Sequence, residues 1–240
     1  MKQHNSVFSL MIRSSLWPAL VLLLLMTASQ LTGFWLVLQQ CALPLEVTVQ
    51  KSFVQWISLA ALVGLALLLC RVGCSGSCKP CYTLERLSIS RRACFCWQAL
   101  ANGLFFVLFW SVQTLVDVLL CHIFTTHGAS EYVTHQSTFL AFFRSPFLHT
   151  LLPFNDWLLW ISNVVTLLAL AICSARFPLS QQEGHKFHEI YLVLLITILT
   201  RNHEIFDLSR CIFSMIVCIA AIAFSLFQVS FREEPFNEEV

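Results

Sequence analysis

Long apolar runs alternate along this chain with short polar segments, and the lengths of the runs set the architecture. Leu16 to Leu38, Phe53 to Cys70, Cys94 to Cys121, Leu151 to Cys173 and Cys211 to Phe231 hold few ionisable side chains. Each is close to or longer than the ~18–20 residues that cross a hydrocarbon core as a helix. A further run, Ile190 to Thr200, is cleanly apolar but short. As a helix it extends only ~16 Å, against a core ~30 Å thick. To cross, it must take in His188 and Glu189 at one end and Arg201 to Glu204 at the other. Those flanks repeat each other, as FHEIY from Phe187 and NHEIF from Asn202. Their His-Glu pairs stand ~22 Å apart along a helix, so each reaches water near an interface. The expected fold is an all-α integral membrane protein, a bundle of about six transmembrane helices. It becomes five if the Ile190–Thr200 run does not span.

The first run is entered through Trp17-Pro18, and proline is tolerated in the first turn of a helix. A cleaved signal peptide with a small-residue site near Ala28 is the competing reading. Apolar character continues to Leu38, longer than the ~7–15 residues of a signal core, which favours a retained signal anchor. Between the last two runs stands TRNHEIFDLSR, from Thr200 to Arg210, dense in charge for this chain. It reads first as the rim and tight connection between two helices, and second as a re-entrant segment or a polar cluster buried in the bundle. For a rim, His203→Ala and Glu204→Ala should each change stability by no more than ~0.5 kcal/mol in thermal melts of detergent-purified protein.

Composition removes the soluble alternative. Hydrophobic residues make up 58% and charged residues 11%, with mean hydropathy +0.76, too few charges to cover a soluble domain. The chain therefore reads as one polytopic membrane domain over residues 1–240, with a basic, cysteine-rich loop at 71–93 and an acidic tail at 232–240. Lys2 and Arg13 precede the first run, and no acid stands before Glu46. Arg71, Lys79, Arg86, Arg91 and Arg92 lie between the second and third runs, with Glu85 the one acid among them. Arg176 and Lys186 lie between the fourth and fifth. Excess Lys and Arg mark cytoplasmic connections, so both termini are expected in the cytoplasm, although Arg201 and Arg210 fall on the other side. The expected location is the endoplasmic reticulum or plasma membrane, with the mitochondrial inner membrane as alternative. No glycine-rich phosphate loop or nucleic-acid surface is present, and no cofactor is implied.

Six of the 11 cysteines fall between Cys70 and Cys96, namely Cys70, Cys74, Cys78, Cys81, Cys94 and Cys96. Disulfides do not suit a cytosolic loop. Juxtamembrane cysteines among Lys and Arg read as palmitoylation sites beside anionic headgroups. The alternative is zinc held by Cys78, Cys81, Cys94 and Cys96, although Cys94-x-Cys96 is a poor second knuckle. The pairs His185/His188 and His188/Glu189 offer further metal ligands from one helix face.

With six spans, Ser52, Gln55 and Ser58, then Asp117 and His122, then His149, Thr150 and Asp156 share the non-cytoplasmic side. Asp117 is the only formally charged residue inside the third run, and an intramembrane ionisable group is a functional hypothesis by default. The plainer reading is a carboxylate near a helix end that reaches interfacial water. His149, at an apolar helix start, suits either an interfacial hydrogen bonder or a general base for a hydroxyl nucleophile.

The pattern LSISRR, FFVLFW, Asp117 and HTLLP, together with the length and six spans, resembles the androgen-induced family of six-span membrane lipid hydrolases. That resemblance implies cleavage of fatty-acid esters of hydroxy fatty acids, by a Thr at the start of helix two and a His at the start of helix four. His149-Thr150 matches the family's His-Thr pair. The nucleophilic Thr does not carry over, since Gln55 is the best-aligned residue, and the proline after the pair falls one residue earlier, at Pro153. The connection from Asp117 to His149 is longer than in the family. Ser52 or Ser58 would have to substitute as nucleophile. The expectation from the residues is thus a non-enzymatic membrane protein, a scaffold or subunit of a larger complex. A lipid-ester hydrolase comes second, and a transporter or channel using Asp117, Asn163 and the residues around Arg201 third. Expected partners are membrane lipids and other membrane proteins, with no nucleic acid.

Overall fold

The computed structural model describes residues 2–40, 44–71, 91–127, 136, 140, 144–153, 156–182, 189–201 and 208–231. Among them the regular structure is helical, with no strand. The helices are α1 (Lys2–Gln40), α2 (Leu45–Lys51), α3 (Val54–Arg71), α4 (Arg91–His127), α5 (Pro146–Leu151), α6 (Trp157–Gln182), α7 (Glu189–Arg201) and α8 (Leu208–Phe231). Five of them, α1, α3, α4, α6 and α8, contain stretches long and apolar enough to cross a membrane.

α1 is 39 residues long, ~58 Å of helix, far more than the core requires. It does not begin at Trp17-Pro18 as expected, and Pro18 lies in its interior. The N-terminal extension is held by packing: Met11 is buried with Ala101, and Phe8 and Ile12 lie against them with Cys94 and Trp97. The rings of Phe8 and Trp97 are 5.4 Å apart. That contact outweighs the hydrogen bond lost at Pro18. Further on, Ala19, Leu23, Met26, Gln30 and Phe34 form one buried stripe at three- and four-residue spacing. Trp17, Leu24, Leu25 and Leu36 face outward, as lipid contact requires.

The fourth apolar run does not form one helix from Leu151. α5 ends there, Leu152 has φ −128° and ψ 78°, and Pro153 follows. A residue before proline is driven out of the helical region, so the chain breaks at Leu152. α6 restarts after Asp156, whose carbonyl accepts from the N–H groups of Leu159 and Trp160. It then continues through Pro178 to Gln182. α6 is the central post, packed most extensively on α4 and α8 and also on α3 and α7. Phe105, Phe106 and Phe109 of α4 meet Ala169, Leu170, Ala171 and Cys173 of α6 in the main core. The small α6 residues let the aromatic rings approach its backbone.

Contacts along the bundle fix the direction of each pass. Arg92 at the start of α4 donates to the Ser230 carbonyl near the end of α8, at 2.7 Å. Along α6 and α8, Cys218 lies beside the Thr166 hydroxyl and Cys173 beside Ser225, so these two helices run parallel. α7 begins next to the end of α6, where Phe177 and Tyr191 meet edge to face at 6.2 Å. α7 must therefore carry the chain back to the far end. Its 13 residues make ~20 Å, shorter than a membrane core, yet Ile190, Val193 and Leu194 are buried in the main core. The chain thus passes through the bundle six times. One end, the basic end, gathers the start of α1, the end of α3, the start of α4 and the end of α6, with Arg13, Arg71, Arg92 and Arg176. α7 ends and α8 begins at the opposite end, and residues 202–207 of TRNHEIFDLSR, with the rim reading that rests on them, lie outside the described residues.

Between α2 and α3, Phe53 has φ +55°, the only described residue other than glycine in that region. Holding an L-residue there costs ~1–2 kcal/mol, and the entropy cost of glycine returns ~0.5–1. Phe53→Gly should therefore raise the thermal midpoint in detergent, by up to ~1.5 kcal/mol of stability. Phe53→Ala, which keeps the strain and removes only the ring, is the control; equal midpoints for the two variants would contradict the strain argument.

Candidate functional site

The end opposite the basic end brings together the segments that carry candidate chemistry. Phe34 of α1, Leu45 and Val49 of α2, Val54 of α3, Val116, Leu120, Cys121 and Phe124 of α4, and Phe147 and Leu148 of α5 form one apolar cluster. Polar side chains are set into its edge. Ser52 caps α2 and is 4% exposed, and its hydroxyl donates to the Val49 carbonyl at 3.0 Å. Thr48 likewise donates to Pro44, at 3.1 Å. Ser58, one turn into α3, is fully buried with no hydrogen-bond partner among the described residues.

Above this cluster lies a sealed polar array. Gln30 of α1 and Gln113 of α4 have no exposed surface, and Asp117 is 1% exposed. Gln30 Nε2 donates to Gln113 Oε1 at 3.0 Å and to the Val54 carbonyl at 3.3 Å. Gln113 Nε2 in turn donates to Asp117 Oδ1 at 3.2 Å. Donation thus runs in one direction, from α1 through α4 to the carboxylate, and the α3 backbone is tied in at the other end. Asp117 is not at a helix end: α4 continues to His127, ~15 Å further. A carboxylate at such depth is costly unless donors face it, and the amide chain supplies one.

The sequence placed Asp117 on this side but missed both glutamines. Gln113 was findable, because it precedes Asp117 by four residues and so shares its helix face. Gln30 had one signal, a lone amide inside an apolar run. Its partner across the bundle had none.

His149 takes a different position. α5 starts at Pro146 behind Ser145, and places His149 Nε2 3.5 Å from Asp156 Oδ2, at the edge of hydrogen-bonding range. Around it, Thr150 donates to the Phe147 carbonyl, Asn163 Nδ2 to the Thr150 carbonyl at 2.8 Å, and Trp160 Nε1 to Pro153 at 2.7 Å. These bonds lock the break between α5 and α6 against the α6 wall, where Trp160 meets Trp110 edge to face. Neither candidate hydroxyl is bonded to His149: Ser52 donates to Val49, and Ser58 has no hydrogen-bond partner among the described residues. Gln55 is half-buried, and His122 stands exposed on α4.

Cys78 and Cys81, with His185 and His188, lie outside the described residues. Cys94 and Cys96 fall in the first turns of α4, two positions apart, which turns their side chains to different sides of the helix. Cys94 is half-buried against α1, whereas Cys96 is exposed. No group of three or more His, Cys, Asp or Glu among the described residues is placed to hold a metal. No family model, curated protein or solved structure matches this chain.

Near the basic end a second polar layer joins α4 to α6, where Asn102 Nδ2 donates to Ser174 Oγ at 2.9 Å. Both side chains are buried, as are Gln98 and Arg176. The bundle is therefore pinned by hydrogen bonds on both sides of its aromatic core.

Proposed function

We propose that this polytopic membrane protein is a non-enzymatic subunit or scaffold of a membrane complex. The observation that carries the reading is the outward face of α1. Ala28, Ser29 and Thr32 are exposed there, between the large side chains of Leu25 and Leu36. Ser29 and Thr32 spend their hydroxyls on their own helix, donating to Leu25 and Ala28 at 2.8 Å. A face of small residues with internally satisfied hydroxyls lets another helix approach closely, and those hydroxyls are then free to re-bond across the interface. The sealed array on the inner face of α1 holds that helix in fixed register, as a scaffold surface needs. Ser29→Leu and Thr32→Leu should release partners that co-purify in mild detergent while leaving the thermal midpoint unchanged. Retention of the same partners would overturn the proposal.

The charge pattern supports an orientation with the basic end in the cytoplasm, in the endoplasmic reticulum or plasma membrane. Cys74, Cys78 and Cys81, after hydroxylamine treatment to remove acyl groups, should react with a membrane-impermeant maleimide only in permeabilised cells. Labelling in intact cells would reverse the orientation.

A second reading, lipid-ester hydrolysis, is supported by the His149–Asp156 contact, a base beside a carboxylate that orients it. It requires Ser52 or Ser58 to turn its hydroxyl toward His149. A lipid-like serine-reactive probe that labels the wild type, fails to label His149→Ala protein and fails to label one of Ser52→Ala and Ser58→Ala would favour it over the scaffold. Transport is less well supported, because Asp117 is sealed from solvent and Asn163 is bonded to the Thr150 carbonyl.

A further inference from the structure

Between the end of α3, the end of α6 and the start of α7 lies a cavity of about 240 Å³, lined by Leu67, Cys70, Arg71, Phe177, Gln181, Ile190 and Tyr191. Leu67, Phe177 and Ile190 make an apolar wall. Arg71, Gln181 and Tyr191 supply the polar atoms, and all three residues are exposed. Arg71 forms no ion pair or hydrogen bond among the described residues, and neither does the Gln181 amide or the Tyr191 hydroxyl. The Tyr191 ring is held in place by its edge-to-face contact with Phe177. Three hydrogen-bond donors, one of them a fixed positive charge, therefore converge on one opening with no partner among the described residues.

We propose that this cavity binds the headgroup of an anionic glycerophospholipid of the surrounding leaflet. Each feature of the site matches a part of that ligand. The Arg71 guanidinium presents a planar fork of donors to phosphate oxygens. Tyr191 and Gln181 complete the shell from the facing helices. Leu67 is 49% exposed and Tyr191 51%, so the site opens sideways into the membrane rather than only toward water. Tyrosine and arginine at this level are where headgroups sit. Basic pockets between transmembrane helices on the positively charged side are suited to anionic lipids. The volume suits a headgroup rather than a whole drug-sized ligand. At about 240 Å³ the cavity falls below the ~300–1,000 Å³ that enclose a whole small molecule, but it accommodates a headgroup whose tails remain in the bilayer.

The test uses the full-length protein in nanodiscs of phosphatidylcholine with a minor fraction of phosphatidylserine, read by native mass spectrometry after release into detergent. The wild type should retain one phosphatidylserine in preference to phosphatidylcholine. Arg71→Gln should lower that occupancy about fivefold or more, the effect of ~1 kcal/mol for one basic residue near an anionic surface. Arg71→Lys, which keeps the charge but not the fork, should fall between them. Tyr191→Phe, with the ring and its Phe177 contact retained, should show a smaller loss. Arg71 is exposed, so the thermal midpoint of Arg71→Gln should match the wild type and separate lost binding from lost folding. Equal phosphatidylserine retention by wild type and Arg71→Gln would overturn the proposal. Displacement of the lipid by millimolar inorganic phosphate or glycerophosphoserine would overturn it too, by assigning the site to a soluble phosphate ester.

Discussion

Leucine in place of Gln113 should destabilise the detergent-purified protein by about 2–4 kcal/mol. Gln113 is the middle of the array, accepting from Gln30 and donating to Asp117, so its loss breaks two buried bonds at once. An interhelical hydrogen bond inside a membrane is worth ~0.6 kcal/mol on average and up to ~1.7, because the separated helices find other partners. Removing a donor from a buried charge costs more, up to ~3–5 kcal/mol for a broken ion pair. The expected loss lies between those limits. Gln30→Leu should cost less, ~1–2 kcal/mol, since Gln113 keeps its bond to Asp117. The double variant should lose less than the sum of the two, because both substitutions break the Gln30–Gln113 bond and Gln30→Leu adds only the loss of the bond to the Val54 carbonyl. Thermal unfolding of the three variants reads this directly. Losses that add in full, or a loss under ~0.5 kcal/mol for Gln113→Leu, would mean the glutamines act as independent packing residues.

The places where sequence and structure part have identifiable physical causes. Apolar run length is a one-dimensional property, and it located every pass, the short α7 included. Helix ends are set by what lies alongside them. The N-terminal part of α1 extends beyond its apolar run because Phe8, Met11 and Ile12 find Trp97 and Ala101, partners 85 to 93 residues away along the chain. The break at Leu152 was signalled by Pro153, yet apolar composition on both sides concealed it. Asp117 and His149 were legible as candidates by type and side. Their partners were legible only where they were local. Gln113 shares a helix turn with Asp117, and Asp156 stands close after His149 in the chain. Gln30 and the Val54 carbonyl come from other helices, and no spacing along one helix encodes that meeting. The phospholipid cavity was invisible for the same reason, since its three polar residues come from three helices.

Valine in place of Gly33 should cost about 2–3 kcal/mol, as overpacking does in a filled core. Gly33 lies in α1, one turn past Gln30, where the helix passes closest to the junction of α2 and α3. A Cβ built there would sit 3.2 Å from the Ser52 backbone carbonyl oxygen. That neighbour belongs to the C-cap of α2 and immediately precedes Phe53 at φ +55°, so it cannot swing aside as a side-chain tip would. Valine adds two methyl groups beyond that Cβ, and helices restrict it to essentially one rotamer. α1 must then move away from the start of α3, which stretches the 3.3 Å bond from Gln30 to the Val54 carbonyl. Gly64→Ala is the counterpart. Its Cβ would meet Leu22 Cδ1 at 3.1 Å, the end of a flexible side chain, and alanine gains up to ~1 kcal/mol in helix propensity. Gly64→Ala should therefore leave the thermal midpoint unchanged or raise it, while Gly33→Val lowers it clearly. Because Gly33→Val also loosens the array, adding Gln30→Leu to it should cost less than Gln30→Leu costs in the wild type. Full additivity would show that the close approach of α1 and the polar array are separate features.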